Sequence, residues 1–198
     1  MQDDQTRRRF LVSSAAAATG LTIALPDLAA GQQLPLTPEC RGKNELTIRQ
    51  TEGPFFKPSS PFRTDLREPG LKGEAFVISG LVVTRSCKPI GNALVDLWHA
   101  DGNGDYDNKG FRGRGHQFTD NEGRYNFITV RPARYPGRTP HFHVKVQAAN
   151  RPVLTTQLYF PDDAGNARDP IFRNELVMRY VGDRTPPVAR FDFVLDIA

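Results

Sequence analysis

A chain of 198 residues with 38% hydrophobic residues, 16 prolines and 17 glycines has room for one core and many turns, which argues against a helical bundle or a disordered tail. The formal net charge of +4 comes from basic residues scattered singly through residues 41–190. No run of five or more forms there, so a solvated surface fits better than a nucleic-acid footprint, with at most a mild pull on anionic substrates.

In chain order, TRRRFLV (6–12) precedes the weakly apolar run VSSAAAATGLTIAL and then Ala29, Ala30 and Gly31, the layout of a twin-arginine export signal. The run is too short to span a bilayer, and Ser13, Ser14, Thr19 and Thr22 interrupt the apolar face an amphipathic helix would need. We read 1–30 as the signal, 31–46 as a proline-rich leader and 47–198 as the working domain, in an exported protein that is periplasmic or extracellular. An oxidising compartment makes a bridge between Cys40 and Cys87 the natural expectation. Closing a loop over the 46 intervening residues would stabilise by roughly 3 to 4 kcal/mol in the chain-entropy account. Neither cysteine has partners at zinc-ligand spacing.

The middle of the chain then reads as strands: AFVISGLVVTR, ALVDLWHA, HQFTD, RYNFITV, HFHVKVQ, VLTTQLYF and FDFVLDI. Each is short and rich in β-branched and aromatic residues, and proline, glycine and aspartate turns separate them. The spacing predicts an all-β fold, a sandwich of mostly antiparallel strands with long loops. Helical signal is confined to DPIFRNELVMRY, where Asp169 before Pro170 predicts a capped turn or two.

Between the second and third runs lies DGNGDYDNKGFR (101–112). Asp101, Asn103 and Asp105 stand at positions 1, 3 and 5 of a twelve-residue calcium loop. The reading fails at two places: Tyr106 occupies the slot that needs glycine, and the cationic Arg112 occupies the slot that needs a bidentate glutamate.

In the strand HFHVKVQ alternate side chains share a face about 6.6–6.8 Å apart. His141, His143 and Lys145 therefore point one way and Phe142, Val144 and Val146 the other. Two imidazoles on one face can chelate a metal, and zinc, copper or iron would fit equally. His99 and His116 are single and read as satisfied structural histidines. Tyr135 lies in the proline-punctuated VRPARYPGRTP, which cannot be strand interior, so it can fold back over His141. Tyr125, Tyr159 and Tyr180 read as strand or packing residues. A phenol of pKa about 10 becomes a good anionic ligand only beside a strongly acidic cation, which favours Fe(III) over Zn(II).

These motifs together resemble the intradiol ring-cleavage dioxygenases, the protocatechuate and catechol dioxygenase family. The matching segments are TEGPFF (51–56), LVDLWHADGNGDYDN through FRGRGHQFTDNEGRY (94–125), TVRPARYPGRTPHFHVKV (129–146) and TTQLYFP (155–161). The resemblance implies that Tyr106, Tyr135, His141 and His143 hold a non-haem Fe(III). It implies that Arg138 and Gln157 lie beside these ligands, and that Gly53 and Pro54 line the substrate pocket. It makes residues 47–198 a catalytic domain that cleaves catechol-type rings between the two hydroxyl carbons with O2, giving cis,cis-muconate-type products. Tyr135 would take a substrate proton, and Arg138 would stabilise negative charge on the ring. The family's catechol-specific members have an N-terminal helical region that this chain lacks, so the protocatechuate-type catalytic chain is closer in shape.

The partners expected are a small aromatic diol and O2, with no nucleic acid and, after processing, no membrane; assembly as a homo-oligomer is left open. Two other readings stay open at this stage. SGLVVTRSCKPIGNALVDLW followed by TDNEGRYNF also resembles non-catalytic prealbumin-like modules, and His141 with His143 would serve a zinc or copper protein.

Overall fold

The computed structural model describes residues 45–197. Its strands are β1 (Ala75–Thr84), β2 (Leu94–Trp98), β3 (Arg114–Phe118), β4 (Arg124–Val130), β5 (His141–Gln147), β6 (Leu154–Tyr159), β7 (Arg179–Tyr180), β8 (Val188–Arg190) and β9 (Phe193–Leu195). One sheet runs β4-β1-β8-β7 with β9 also on β1, and the other runs β3-β2-β5-β6. All pairings are antiparallel except β1 with β8 and β1 with β9. The sandwich expected from the alternation is the fold.

The core follows the period of two. From β5, Phe142, Val144 and Val146 enter the same cluster as Val95 and Leu97 of β2, Phe76, Ile78 and Val82 of β1, and Tyr125 and Phe127 of β4. Tyr125 is the strand residue expected, and its hydroxyl donates to the Phe191 carbonyl at 2.8 Å. The opposite face of β5 is left for His141, His143 and Lys145. Both edges of this second sheet are covered: Thr156 Oγ1 and Gln50 N–H tie residues 48–50 along β6, and residues 61–63 bond both ways to His116 on β3.

Two expectations are corrected. FDFVLDI (191–197) is a strand only over Phe193–Leu195, because Phe191 and Asp192 cross over Gly80. A Cβ at Gly80 would lie 1.7 Å from the Phe191 carbonyl oxygen, and Leu81 N–H donates to the Asp192 carboxylate at 2.9 Å instead of to a strand. The crossing lets β1 pair with β8 on one side of Gly80 and with β9 on the other. DPIFRNELVMRY holds no α-helix but the 3-10 turn Asn174–Leu176 ahead of β7, and another such turn precedes it at Asn166–Arg168. Asp169 does accept the Ile171 N–H through one carboxylate oxygen, but its other oxygen is committed elsewhere, as described below. Among the described residues no helix is long and apolar enough to cross a membrane.

Candidate active site

The outer face of the second sheet is laid out in rows. Arg114, Trp98, His143 and Gln157 are successive cross-strand partners, and His141 is paired with Tyr159 beside them. His141 and His143 are buried, and their Nε2 atoms face each other at 3.1 Å. His141 Nδ1 lies 2.7 Å from the Thr139 carbonyl. A carbonyl only accepts, so Nδ1 carries the proton and Nε2 the lone pair. Burial, and secondarily the Arg138 charge, pushes His141 down to about 4. Burial followed by the neighbouring His141 holds His143 well below its ordinary value. Both rings are neutral near pH 7.

Two loops bring tyrosines onto this face. After β2, Asp101 Oδ1 accepts the N–H groups of Asn103 and Asp105 at 2.8 and 3.1 Å, which closes the turn that presents Tyr106. Beyond it, the Asp107 carboxylate accepts the N–H groups of Lys109, Gly110 and Arg112. The acidic residues that imitate a calcium loop are turn-formers. In the second loop, Tyr135-Pro136-Gly137-Arg138 is a turn with proline second, glycine third at φ +80, and the Arg138 N–H donating back to the Tyr135 carbonyl at 3.0 Å, the pattern of a type II turn. The loops lock together: Ala133 N–H donates to the Asp101 carbonyl, and a Cβ at Gly104 would lie 2.6 Å from the Arg134 carbonyl oxygen. Hence Tyr106 and Tyr135 meet with ring centres 5.8 Å apart, Tyr106 lies 6.2 Å from His143, and Tyr135 lies 5.6 Å from His141.

The structure thus brings Tyr106, Tyr135, His141 and His143 into one cluster. Arg138 binds its rim as a fork, with Nε donating to Asp169 Oδ2 at 2.9 Å, Nη1 to the Tyr135 hydroxyl at 3.4 Å and Nη2 to Gln157 Oε1 at 2.5 Å. Gln157 Nε2 in turn donates to the Thr51 carbonyl at 2.9 Å, tying down the loop that carries Gly53 and Pro54. Gly53 has φ +70, and a Cβ there would lie 3.2 Å from His143 Cε1, so the backbone closes directly over the imidazole. Pro54 is exposed beside it. Cys40 lies outside the described residues, and Cys87 stands in the turn after β1, away from this cluster.

Several members were not foreseen. Trp98 stacks on His143 at 4.9 Å and 7°, and Phe55 stacks on Tyr106 at 4.3 Å and 16°. Tyr159, read from sequence as packing, donates to Gln157 Oε1 at 3.0 Å and receives an Arg138 N–H at 3.5 Å; burial pushes its phenol up to about 12. Strand alternation with Gln157 would have placed it on this face. Asp169 had no such signal, since its partner is 31 residues distant. His99 and His116 are structural as expected. His99 is buried between the Ala100 carbonyl and the Thr129 hydroxyl, each at 2.7 Å, and His116 lies 2.8 Å from the Ser60 carbonyl.

Comparison with known proteins agrees with this geometry. A family model described as a dioxygenase matches residues 51–197. The protocatechuate 3,4-dioxygenase beta chain of Burkholderia cepacia is 35% identical over 152 residues, covering 63% of this chain and 64% of the relative. Hydroxyquinol 1,2-dioxygenase of Rhizobium sp. (strain MTP-10005) is 30% identical over 158 residues, covering 66% and 52%. This chain therefore spans less than two thirds of the length of either. The dioxygenase domain of a dioxygenase carbohydrate-binding protein fusion from Streptomyces sp. SirexAA-E superposes with a TM-score of 0.75 at 48% identity, covering 78% of this chain and all of that one. 3-Chlorocatechol 1,2-dioxygenase of Rhodococcus opacus 1CP shares the fold, with a TM-score of 0.69 at 24% identity over 77% of this chain and 73% of that one. With the family model spanning most of the described domain, the chain belongs to the intradiol ring-cleavage dioxygenase family.

Proposed function

We propose that this protein is a non-haem Fe(III) enzyme that uses O2 to open catechol-type rings between the two hydroxyl-bearing carbons, giving cis,cis-muconate-type products. The observation that carries the reading is the convergence of two buried neutral imidazoles and two phenols beneath one arginine fork. The named relatives support the substrate class, because protocatechuate, hydroxyquinol and 3-chlorocatechol are all rings with adjacent hydroxyls.

The donor set fits iron. Among the described residues no three His, Cys, Asp or Glu side chains come together as a metal site, so a cation here would have to use the tyrosines. Tyr106 Oη is buried with no hydrogen-bond partner, and burial, with Tyr135 beside it, holds its phenol well above the ordinary range. Such a phenol ionises only against a strongly acidic cation, and hard oxygen with imidazole donors suits ferric iron. Tyr106, Tyr135, His141 and His143 would hold it. When bound, Fe(III) would supply the Lewis acidity that ionises the phenols and the diol and couples the ring to O2.

The chain's own groups do the rest. Tyr135 stands at the loop side of the cluster and takes a proton from the diol as it binds. Arg138, held flat by Asp169, Gln157 and Tyr135, places an always-charged plane where the ring gains negative charge. The 51–54 loop, tied to Gln157 and closed over His143, walls the pocket with backbone. Arg138→Lys should keep its iron but turn over at least about tenfold more slowly, since an ammonium cannot hold three acceptors of this fork at once. Oxygen uptake with catechol, protocatechuate and hydroxyquinol is the assay. Parent-level turnover in the variant would remove Arg138 from the chemistry, and absence of uptake by the iron-loaded parent with all three diols would refute the activity.

We propose further that the protein is exported. Residues 1–30 lie outside the described ones, and the support is the Arg7-Arg8 motif ahead of its apolar run. Replacing both arginines by lysine should leave the protein in the cytoplasm, and unchanged export would reject that route. Leu46 packs on Val83 and Val194 beside the end of β1, and the six residues back to Cys40 reach at most ~22 Å, enough to approach Cys87. A Cys40–Cys87 bridge is accordingly expected in the mature protein. Non-reducing mass spectrometry that finds two thiols would disprove it without touching the site.

A further inference from the structure

Among the described residues, four side-chain polar atoms are buried with no hydrogen-bond partner: Trp98 Nε1, Tyr106 Oη, Arg114 Nη1 and His143 Nδ1. Native folds satisfy such groups almost everywhere, so each exception calls for a reason. These four are not scattered. Arg114, Trp98 and His143 are consecutive cross-strand partners on one face, and Tyr106 lies over His143.

Arg114 is the unusual member. Its side chain is 1% exposed, yet among the described residues it makes no ion pair. Nε and Nη2 both donate to the backbone carbonyl of Asp107, at 3.3 and 3.2 Å. The Asp107 carboxylate is turned away, occupied by the N–H groups of Lys109, Gly110 and Arg112 and by Arg112 Nε. Asp107 and Asp96 act on the guanidinium only from beyond ion-pair distance; a buried guanidinium without a direct charged partner is costly, and this one is fixed to the residue that follows Tyr106 in the chain. Arginine and tryptophan can only donate, whereas a phenolate can only accept. The Arg114 guanidinium and the Tyr106 phenol act on each other electrostatically, so a phenolate formed there would face a cation fixed to its own loop.

We propose that Arg114 is a positioning residue: it clamps the Tyr106 loop through the Asp107 carbonyl and serves, alongside Arg138, as a fixed counter-charge of the Tyr106 phenolate when iron is bound. The proposal rests on the iron-site reading above. Arg114 touches neither substrate nor metal and acts only through Tyr106.

The test compares Arg114→Met, Arg114→Lys and the parent for iron affinity by chelator competition, position of the visible band, and Tm of the proteins with and without iron. Arg114→Met should match or exceed the parent in metal-free Tm, because a buried unpaired charge is gone. Its iron affinity should fall at least about tenfold, the equivalent of one pKa unit of lost interaction. Its phenolate-to-iron band should move to longer wavelength, as a phenolate without a neighbouring cation gives up an electron more easily. Arg114→Lys keeps the charge and should hold the band nearer the parent position. Parent affinity and parent band in Arg114→Met would overturn the proposal. So would an equal loss of stability with and without iron, or failure of Arg114→Met to fold where Arg114→Lys folds, since the arginine would then be purely structural. A parent that takes up no iron at all sinks the site itself, a distinct result.

Discussion

His143→Ala should bind iron more than about 100-fold more weakly than the parent, beyond the 10–100-fold that follows from losing a mere partner of a ligand. His143 is the most enclosed member of the cluster. Trp98 stacks on one face of it, the Gly53 backbone closes at 3.2 Å in the sense of an added Cβ, and His141 Nε2 stands 3.1 Å away. An imidazole held on three sides and kept neutral by burial gives up no rotamer freedom and no proton when it takes a cation. Alanine removes the lone pair and leaves a cavity that water can enter. The fold should survive, because the core packs on the opposite face of β5 through Phe142, Val144 and Val146. Far-ultraviolet circular dichroism and metal analysis separate the two effects. A folded variant with parent iron content would show that His143 is not a ligand.

Tyr135→Phe should retain iron, held by Tyr106, His141 and His143, but bind catechols about 10²–10⁴-fold more slowly, the range a general base contributes. Phenylalanine preserves the ring packing against Phe55 and Tyr106, so only the hydroxyl is lost. That hydroxyl is weakly held, by a 3.4 Å contact from Arg138, which suits a group that must exchange partners during the reaction. Tyr106 sits in a turn closed by Asp101 and clamped from below at Asp107, and suits the ligand that stays. Stopped-flow mixing with catechol, read in the visible, measures the difference. Parent binding rates with an unchanged spectrum would remove Tyr135 from the metal and break the four-residue site.

The strands and the paired histidines of one face were legible in the sequence because both depend on alternation, and alternation survives in a single chain. HFHVKV shows its two faces directly, and the structure keeps them. The tyrosines were legible only in part. YPGR contains its turn chemistry, with proline and glycine where a type II turn needs them, but nothing local shows that the Asp101 carbonyl and Gly104 lock this loop to the one bearing Tyr106. That contact is tertiary and was not foreseen; only the family resemblance put the two tyrosines in one site. Asp169 was read only in part for the same reason. Its spacing to Pro170 and Ile171 announces a turn cap, which it is, while its bond to Arg138 crosses between loops. The split of the last strand at Phe191 and Asp192 was hidden because the cause, the missing side chain of Gly80, lies more than a hundred residues upstream. Arg114 drew no reading from the sequence, which cannot reveal that a charge is buried without an ion-pair partner.

The most direct test is metal analysis of the purified parent protein alongside its visible spectrum, before and after anaerobic addition of catechol. Two tyrosinates on ferric iron would give iron in equimolar amount with the protein, a visible band, and a shift of that band when catechol is added. A colourless protein that fails to take up ferric iron, or one that carries stoichiometric zinc or copper at His141 and His143, would contradict the account at its centre.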